Sequence, residues 1–257
     1  RPREDYEGRG EISDVCIKRK LRNRLQDLGA AIFVQSADRW DDDCRSLNER
    51  ASAVKELAEL TKSKEADSVD EYGRIACGKW YDVRAFGQVF AFKGDSVSVG
   101  VRGPVSIHQS VSVSPVDIVD QQITKSVNSE TTKDGGKSSD TMGMKHFITF
   151  GLYVVKGSVN CQLAEKTGFS EEDAELLKEA LTTLFDNDAS SARPEGSMEV
   201  RRLYWFRHNC PTGQYSTAQV HRSVKITAGE SAVPASFEDY QVTLEPLEGL
   251  TPEIISR

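Results

Sequence analysis

The longest unbroken apolar stretch in these 257 residues is Ala30-Ala31-Ile32-Phe33-Val34, only five residues long. A core made of such material must be assembled from many short segments, each with one covered face, and nothing approaches the ~20 apolar residues of a membrane-spanning helix. No signal-peptide h-region opens the chain, so a cytoplasmic protein with no membrane partner is expected. Five cysteines, widely scattered and without a CxxC, suit free thiols in a reducing compartment. The sequence holds no GxxxxGK[ST], HExxH or GxSxG, and His208-Asn209-Cys210 offers at most two ligands where a structural zinc needs four. Neither metal nor cofactor is expected.

Charge is unevenly placed. Residues 165–199 carry ten acids and three bases, an excess equal to the whole chain's net charge of -7, so the remainder balances. Within that remainder Lys18, Arg19, Lys20, Arg22 and Arg24 form a cluster with no acid between Asp14 and Asp27. Net charge bears on solubility, whereas a clustered patch bears on a partner, here a polyanion.

Periodicity assigns the elements. Ile17, Leu21, Leu25 and Leu28 recur at spacings of three and four after Ser13 or Asp14 as cap, which predicts a helix to about Leu28 with Gly29 as its stop. That helix is expected to pack on one stripe while presenting its cations. Residues 30–35 read as a short strand, and Asp41-Asp42-Asp43 as the start of a charged helix to about Lys62, a stretch that reads as a solvated insertion. Asp82 reads as the N-cap of a helix carrying Val83, Phe86, Val89 and Phe90 into the core.

Val105, Ile107, Val111 and Val113 alternate with serines and His108, as in one strand with a polar face. A long Ser/Thr/Lys/Gly loop over 126–145 follows, with Gly135-Gly136 at its centre and Met142 and Met144 as its apolar residues; loops of that length are usually functional or disordered. Ser170 with Asp173 predicts a capped helix carrying Leu177, Ala180, Leu181 and Leu184, a turn is expected over 188–197, and strands over 200–207 and 219–227. The order helix, strand, strand, helix, strand gives an α+β fold, a ferredoxin-like βαββαβ unit lacking its first strand, in one elaborated domain over 1–257.

Taken together, Ser13-Asp14-Val15-Cys16-Ile17-Lys18-Arg19-Lys20-Leu21-Arg22-Asn23, Asp82-Val83-Arg84-Ala85-Phe86-Gly87-Gln88, Gly103-Pro104-Val105-Ser106-Ile107-His108-Gln109, Met142-Gly143-Met144-Lys145-His146 and Ser190-Ser191-Ala192-Arg193-Pro194-Glu195-Gly196-Ser197 resemble the backbone subunit of the type I-C CRISPR effector, Cascade, of the RAMP superfamily. The match spans most of residues 12–227. The resemblance implies an RRM-like palm with a finger-like insertion (36–79) and a thumb loop (117–146). It also implies polymerisation head to tail along a CRISPR RNA, presentation of the guide to target DNA beside other Cascade subunits, and binding without catalysis.

Carried over by the resemblance, Lys18, Lys20, Arg22 and Arg24, with Arg19 beside them, would contact phosphate, and the acidic helix after Ser170 would face away from the RNA. Lys125, Lys137, Met142, Met144 and Lys145 would form the thumb, and Ser106, His108, Gln109, Arg193 and Ser197 would line the same groove. The family's opening strand does not appear in the sequence, so an N-terminal piece is expected ahead of Arg1. The alternative is a metal-independent endoribonuclease maturing CRISPR RNA, with His108, His146 or His221 as acid or base.

Overall fold

In a computed structural model the described residues are all but 63–65, 93–97, 128–141 and 230–232, and they form a mixed α+β structure of helices and small antiparallel sheets. Contacts divide the chain into two units. The first comprises Arg1–Ser13, Gln109–Val155 and Lys225–Thr243, and the second Asp14–His108, Lys156–Val224 and Leu244–Arg257.

The first unit holds a four-stranded antiparallel sheet in the order Arg3–Glu4, Arg9–Ile12, Ser110–Pro115, Tyr153–Val154. Arg9–Ile12 lies directly ahead of the first helix, a strand that sequence pattern alone does not reveal because its four residues carry a single large apolar side chain. The alternation over 105–114 also resolves differently from its one-strand reading. Val105–Ile107 and Ser110–Pro115 are separate strands in separate sheets, and across the break the phase inverts: Val105 and Ile107 are buried, but so are Ser110 and Ser112. Those hydroxyls are satisfied inside, Ser110 Oγ donating to the Val154 carbonyl (2.9 Å) and Ser112 Oγ accepting from the Gly10 amide (2.9 Å) while donating to the Ser114 carbonyl (2.6 Å).

In the second unit an aromatic core joins Phe33, Tyr72, Trp80 and Phe90, with ring centroids 4.7 Å apart for Phe33–Trp80 and 5.0 Å for Phe33–Phe90. Ala51, Val54, Leu57, Ala76 and Cys77 are buried in the same cluster, so the stretch from Asp41 to about Lys62 is not a solvated insertion: Ala51, Val54 and Leu57 carry it into the core. The single helix expected from Asp41 is instead two short ones, Leu47–Ser52 and Lys55–Leu60, the first capped by Ser46, whose Oγ accepts from the Glu49 amide (3.1 Å). Buried Arg50 holds both oxygens of Asp42 (2.6 and 2.7 Å), which fixes the acidic run as a loop. Asp82 is not a cap either. The helix Tyr81–Phe86 starts after Trp80, stops at Gly87 (φ +79°) and gives way to the strand Gln88–Phe90, leaving Val89 outside and Phe90 in the core.

The expected strand over 30–35 is absent. With no neighbouring strand, its backbone polar groups are met by side chains from distant segments: Asp82 accepts from the Phe33 and Val34 amides (2.7 and 3.1 Å), Arg50 donates to the Phe33 carbonyl (2.8 Å), and Arg19 to that of Val34 (2.6 Å). The capped helix is as expected, Glu171–Thr182, its Ser170–Asp173 capping box complete. The segment 219–227 splits into the helix Thr217–Ser223 and the strand Val224–Ala228. Among the described residues no helix is long and apolar enough to cross a membrane.

Candidate nucleic-acid interface

The first helix, Asp14–Asp27, forms where periodicity places it and buries Ile17, Leu21 and Leu25. Its cations are not left to solvent. Lys20, only 5% exposed, is ion-paired with Asp188 and lies 5.5 Å from the Phe185 ring centroid. Arg22 donates to Asp82 (2.8 Å) and stacks 5.2 Å from the Phe86 centroid. Arg24 donates to Thr183 Oγ1 (2.7 Å) with Asp186 3.9 Å away, and Lys18 pairs with Asp14 one turn back (3.2 Å). Burial, then the nearby Arg22 charge, holds the Arg19 guanidinium below its ordinary range.

The expectation of a cationic face open to solvent is therefore corrected: the row is largely neutralised within the fold. Its counter-charges Asp186 and Asp188 come from the acid-rich segment 165–199, just beyond the end of the capped helix Glu171–Thr182. The local excess of acids beyond the capped helix was the sequence signal for them, and Asp82 was hidden by its resemblance to a cap. Arg257 donates to both oxygens of Asp186 (2.9 and 3.1 Å), which keeps that carboxyl below its usual range.

Three of the expected site residues converge on one turn. Asp188, already holding Lys20, also lies 3.6 Å from Arg193 Nε, and Arg193 with Ser197 lines a shallow hollow over Phe185, Asp188 and Gly196. Ser190 closes the turn, its amide donating to the Arg193 carbonyl (2.7 Å). Ser106 and His108 are exposed on and just beyond the strand Val105–Ile107, whose partner strand is Gly157–Val159; Gln109 is exposed at the start of the first unit's next segment.

In the first unit, the two ends of the expected thumb loop are an antiparallel hairpin, Ile118–Thr124 paired with Met142–Ile148. Register puts Met142 opposite Thr124, Met144 opposite Gln122 and His146 opposite Asp120, all on one face, with the methionines 64% and 55% exposed. His146 Nδ1 bonds Asp120 Oδ1 (2.6 Å), which holds that carboxyl below its ordinary range. The opposite face carries exposed Lys145, its Nζ 5.9 Å from the Phe147 centroid. Lys125 is exposed just past the first strand. Lys137, with Gly135-Gly136, lies outside the described residues. Among the described residues no group of three or more His, Cys, Asp or Glu could hold a metal ion.

Comparison with known proteins places this arrangement in a class, the CRISPR-associated proteins. The family model "CRISPR-associated protein Cas7" matches residues 1–245. The chain belongs to the Cas7 family. A curated relative, "CRISPR-associated protein Cas7" of Haloferax volcanii, is 26% identical over 268 residues, covering 96% of this chain and 74% of the relative. A chain of a solved "CRISPR RNA-guided surveillance complex, pre-nicking" is similar at 17% identity and a TM-score of 0.41; the match covers 71% of this chain and 65% of that one.

Proposed function

We propose that this chain is the CRISPR-RNA-binding backbone subunit of an RNA-guided surveillance complex. The observation that carries the reading is the Cas7 family match over residues 1–245. The subunit is a non-catalytic, cytoplasmic scaffold of the type I-C kind with an RRM-like palm. It polymerises head to tail along the guide RNA beside other Cascade subunits and leaves the bases free to pair with target DNA. Physical requirements agree: when the guide's own pairing supplies specificity, the protein needs charge and shape but no base code.

Internal pairing on the first helix redistributes the candidate contacts. Lys18, whose side chain is 25% exposed, and Arg193, 41% exposed, are the cations of that region best able to reach phosphate. Lys20, Arg22 and Arg24 shape the surface under it. The hairpin supplies the rest, with two exposed, polarizable methionines able to wedge against a base and Lys145 on the reverse face.

The test measures affinity for a fluorescein-labelled single-stranded RNA over a range of salt. A Lys18→Gln, Lys145→Gln variant is expected to bind more weakly, with a log–log salt slope shallower by about 0.7 for each phosphate no longer neutralised. Met142→Ala with Met144→Ala is expected to weaken binding without changing the slope. Wild-type affinity and slope in both variants would overturn the assignment of these residues to the RNA.

A further inference from the structure

One polar cluster in the second unit is not absorbed by the first helix or the hairpin. His108, at the end of the strand Val105–Ile107, and His221, on the helix Thr217–Ser223, lie with ring centroids 5.4 Å apart and planes at 89°. The sequence treats them as two isolated histidines 113 positions apart; the fold brings them edge to face. His221 Nε2 lies 2.9 Å from the Gly157 carbonyl oxygen, and because a carbonyl only accepts, that nitrogen carries a hydrogen, leaving Nδ1 to take up or release a proton. The His108 amide donates to the Lys156 carbonyl (2.8 Å), which sets Lys156 across the ladder from His108. Ser106 lies opposite Ser158 in the same ladder.

The surroundings are selectively short of negative charge. The strands Val105–Ile107 and Gly157–Val159 and the helix Thr217–Ser223 contain no Asp or Glu, in a chain with 40 acids against 33 lysines and arginines. Their charged neighbours include Lys156, exposed just before the second strand, Arg222, exposed beside His221, and at the far end of the helix Glu245, whose amide donates to the Ser223 carbonyl (2.8 Å). The helices Asp14–Asp27 and Tyr81–Phe86 pack on the strand carrying Val105 and Ile107, whose own side chains are buried. Two imidazoles in ring contact thus sit beside ladder positions that carry two hydroxyls and a lysine, with no carboxylate on the strands and helix themselves.

The geometry points to a phosphate-binding site formed by His108, His221 and Lys156, with Ser106 and Ser158 as hydroxyl donors, whose grip strengthens as the imidazoles gain protons. Two imidazolium ions at this separation repel unless an anion lies between them, so phosphate and the second proton bind cooperatively. Imidazole is the side chain that ordinarily changes charge between pH 5 and 8, which makes the contact adjustable where the lysine contacts are constant. The proposal rests on the RNA-binding reading for its natural ligand, a phosphodiester of the bound strand, but the site itself can be read with inorganic phosphate.

Two measurements on the full chain separate the two claims. In long-range 1H–15N spectra of the imidazoles, inorganic phosphate added at pH 6 is expected to shift the His108 and His221 resonances and leave those of His208 in place; no shift at either would overturn the site whatever the RNA result. In RNA binding, the wild type is expected to gain about threefold or more in affinity from pH 8 to pH 6. His108→Gln and His221→Gln, the latter still able to donate to Gly157, should each show an affinity that barely changes between pH 8 and pH 6, the double variant losing no more of the pH-dependent gain than either single one. His146→Gln, on the hairpin, should keep it. An undiminished gain in both His variants would overturn the proposal, as would cleavage of the RNA that disappears in them, since that would make the pair an acid–base catalyst. A wild type that binds phosphate but no RNA at either pH would overturn the function proposed above and leave the anion site standing.

Discussion

Replacing Asp82 with Asn changes almost no volume and removes one charge from a fully buried position. One of its oxygens accepts from the Phe33 amide at 2.7 Å, and the other from the Val34 amide at 3.1 Å and Arg22 Nε at 2.8 Å. An amide presents one oxygen where the carboxylate presents two, so in either orientation an NH2 meets a donor and at least one bond becomes a clash. Arg22, its side chain 13% exposed, is left without its counter-ion. Removing one partner of a buried pair costs about 3–5 kcal/mol, against a total stability of roughly 5–15 kcal/mol for a folded domain.

The assay is urea denaturation followed by circular dichroism, together with hydrogen exchange at Phe33 and Val34. Asp82→Asn should lower the midpoint sharply and bring exchange of those two amides close to that of an open loop, and adding Arg22→Gln should recover part of the loss, because the orphaned cation goes with it. A loss under about 1 kcal/mol with both amides still protected would refute the view that this carboxylate organises residues 30–36.

Four further outcomes are expected. Gly87→Ala should cost at least about 2 kcal/mol in the same melt, since Gly87 sits at φ +79° and an added Cβ would run into the Val101 carbonyl oxygen and the Gly103 amide, backbone atoms that cannot step aside. Burial pushes the Cys77 thiol up from its ordinary 9.0 to about 11, so iodoacetamide at pH 8 should label exposed Cys161 while sparing Cys77 until the chain unfolds. Because that pKa is raised on folding, the associated stability is complete below about pH 9 and declines from there toward pH 11, which a urea series over that range would register. Ser170→Ala, which removes the acceptor for the Asp173 amide, should cost about 1 kcal/mol, and Ser170→Gly only a few tenths.

Local signals were legible wherever the responsible contacts are local. Ile17, Leu21 and Leu25 fixed the first helix, Ser170 and Asp173 fixed the capped one, and the five matching segments pointed to the backbone subunit of Cascade. What could not be read is what depends on partners far away in the chain. Residues 30–35 look like a strand by composition and are not one, because Asp82, Arg50 and Arg19 supply the bonds a neighbouring strand would have supplied. Ser110 and Ser112 look like a solvent face and are buried, because the break at 108–109 shifts the phase by one residue. The first-helix cations look free for the same reason: the carboxylates that meet Lys20, Arg22 and Arg24 lie far downstream at Asp188, Asp82 and Asp186, beyond any helical or strand period. His108 and His221 could be named as candidates but not as a pair.

The double engagement of Asp188 has a practical corollary for anyone tuning this surface. Lys20 and Arg193 share that one carboxylate, so a single Asp188→Asn substitution would strip two positive side chains of their counter-charge with opposite results: part-exposed Arg193 would be freed toward a polyanion, whereas buried Lys20 would be left as an unpaired ammonium inside the fold. On this fold, subtracting an acid strengthens attraction for a polyanion only where the base it holds already reaches solvent.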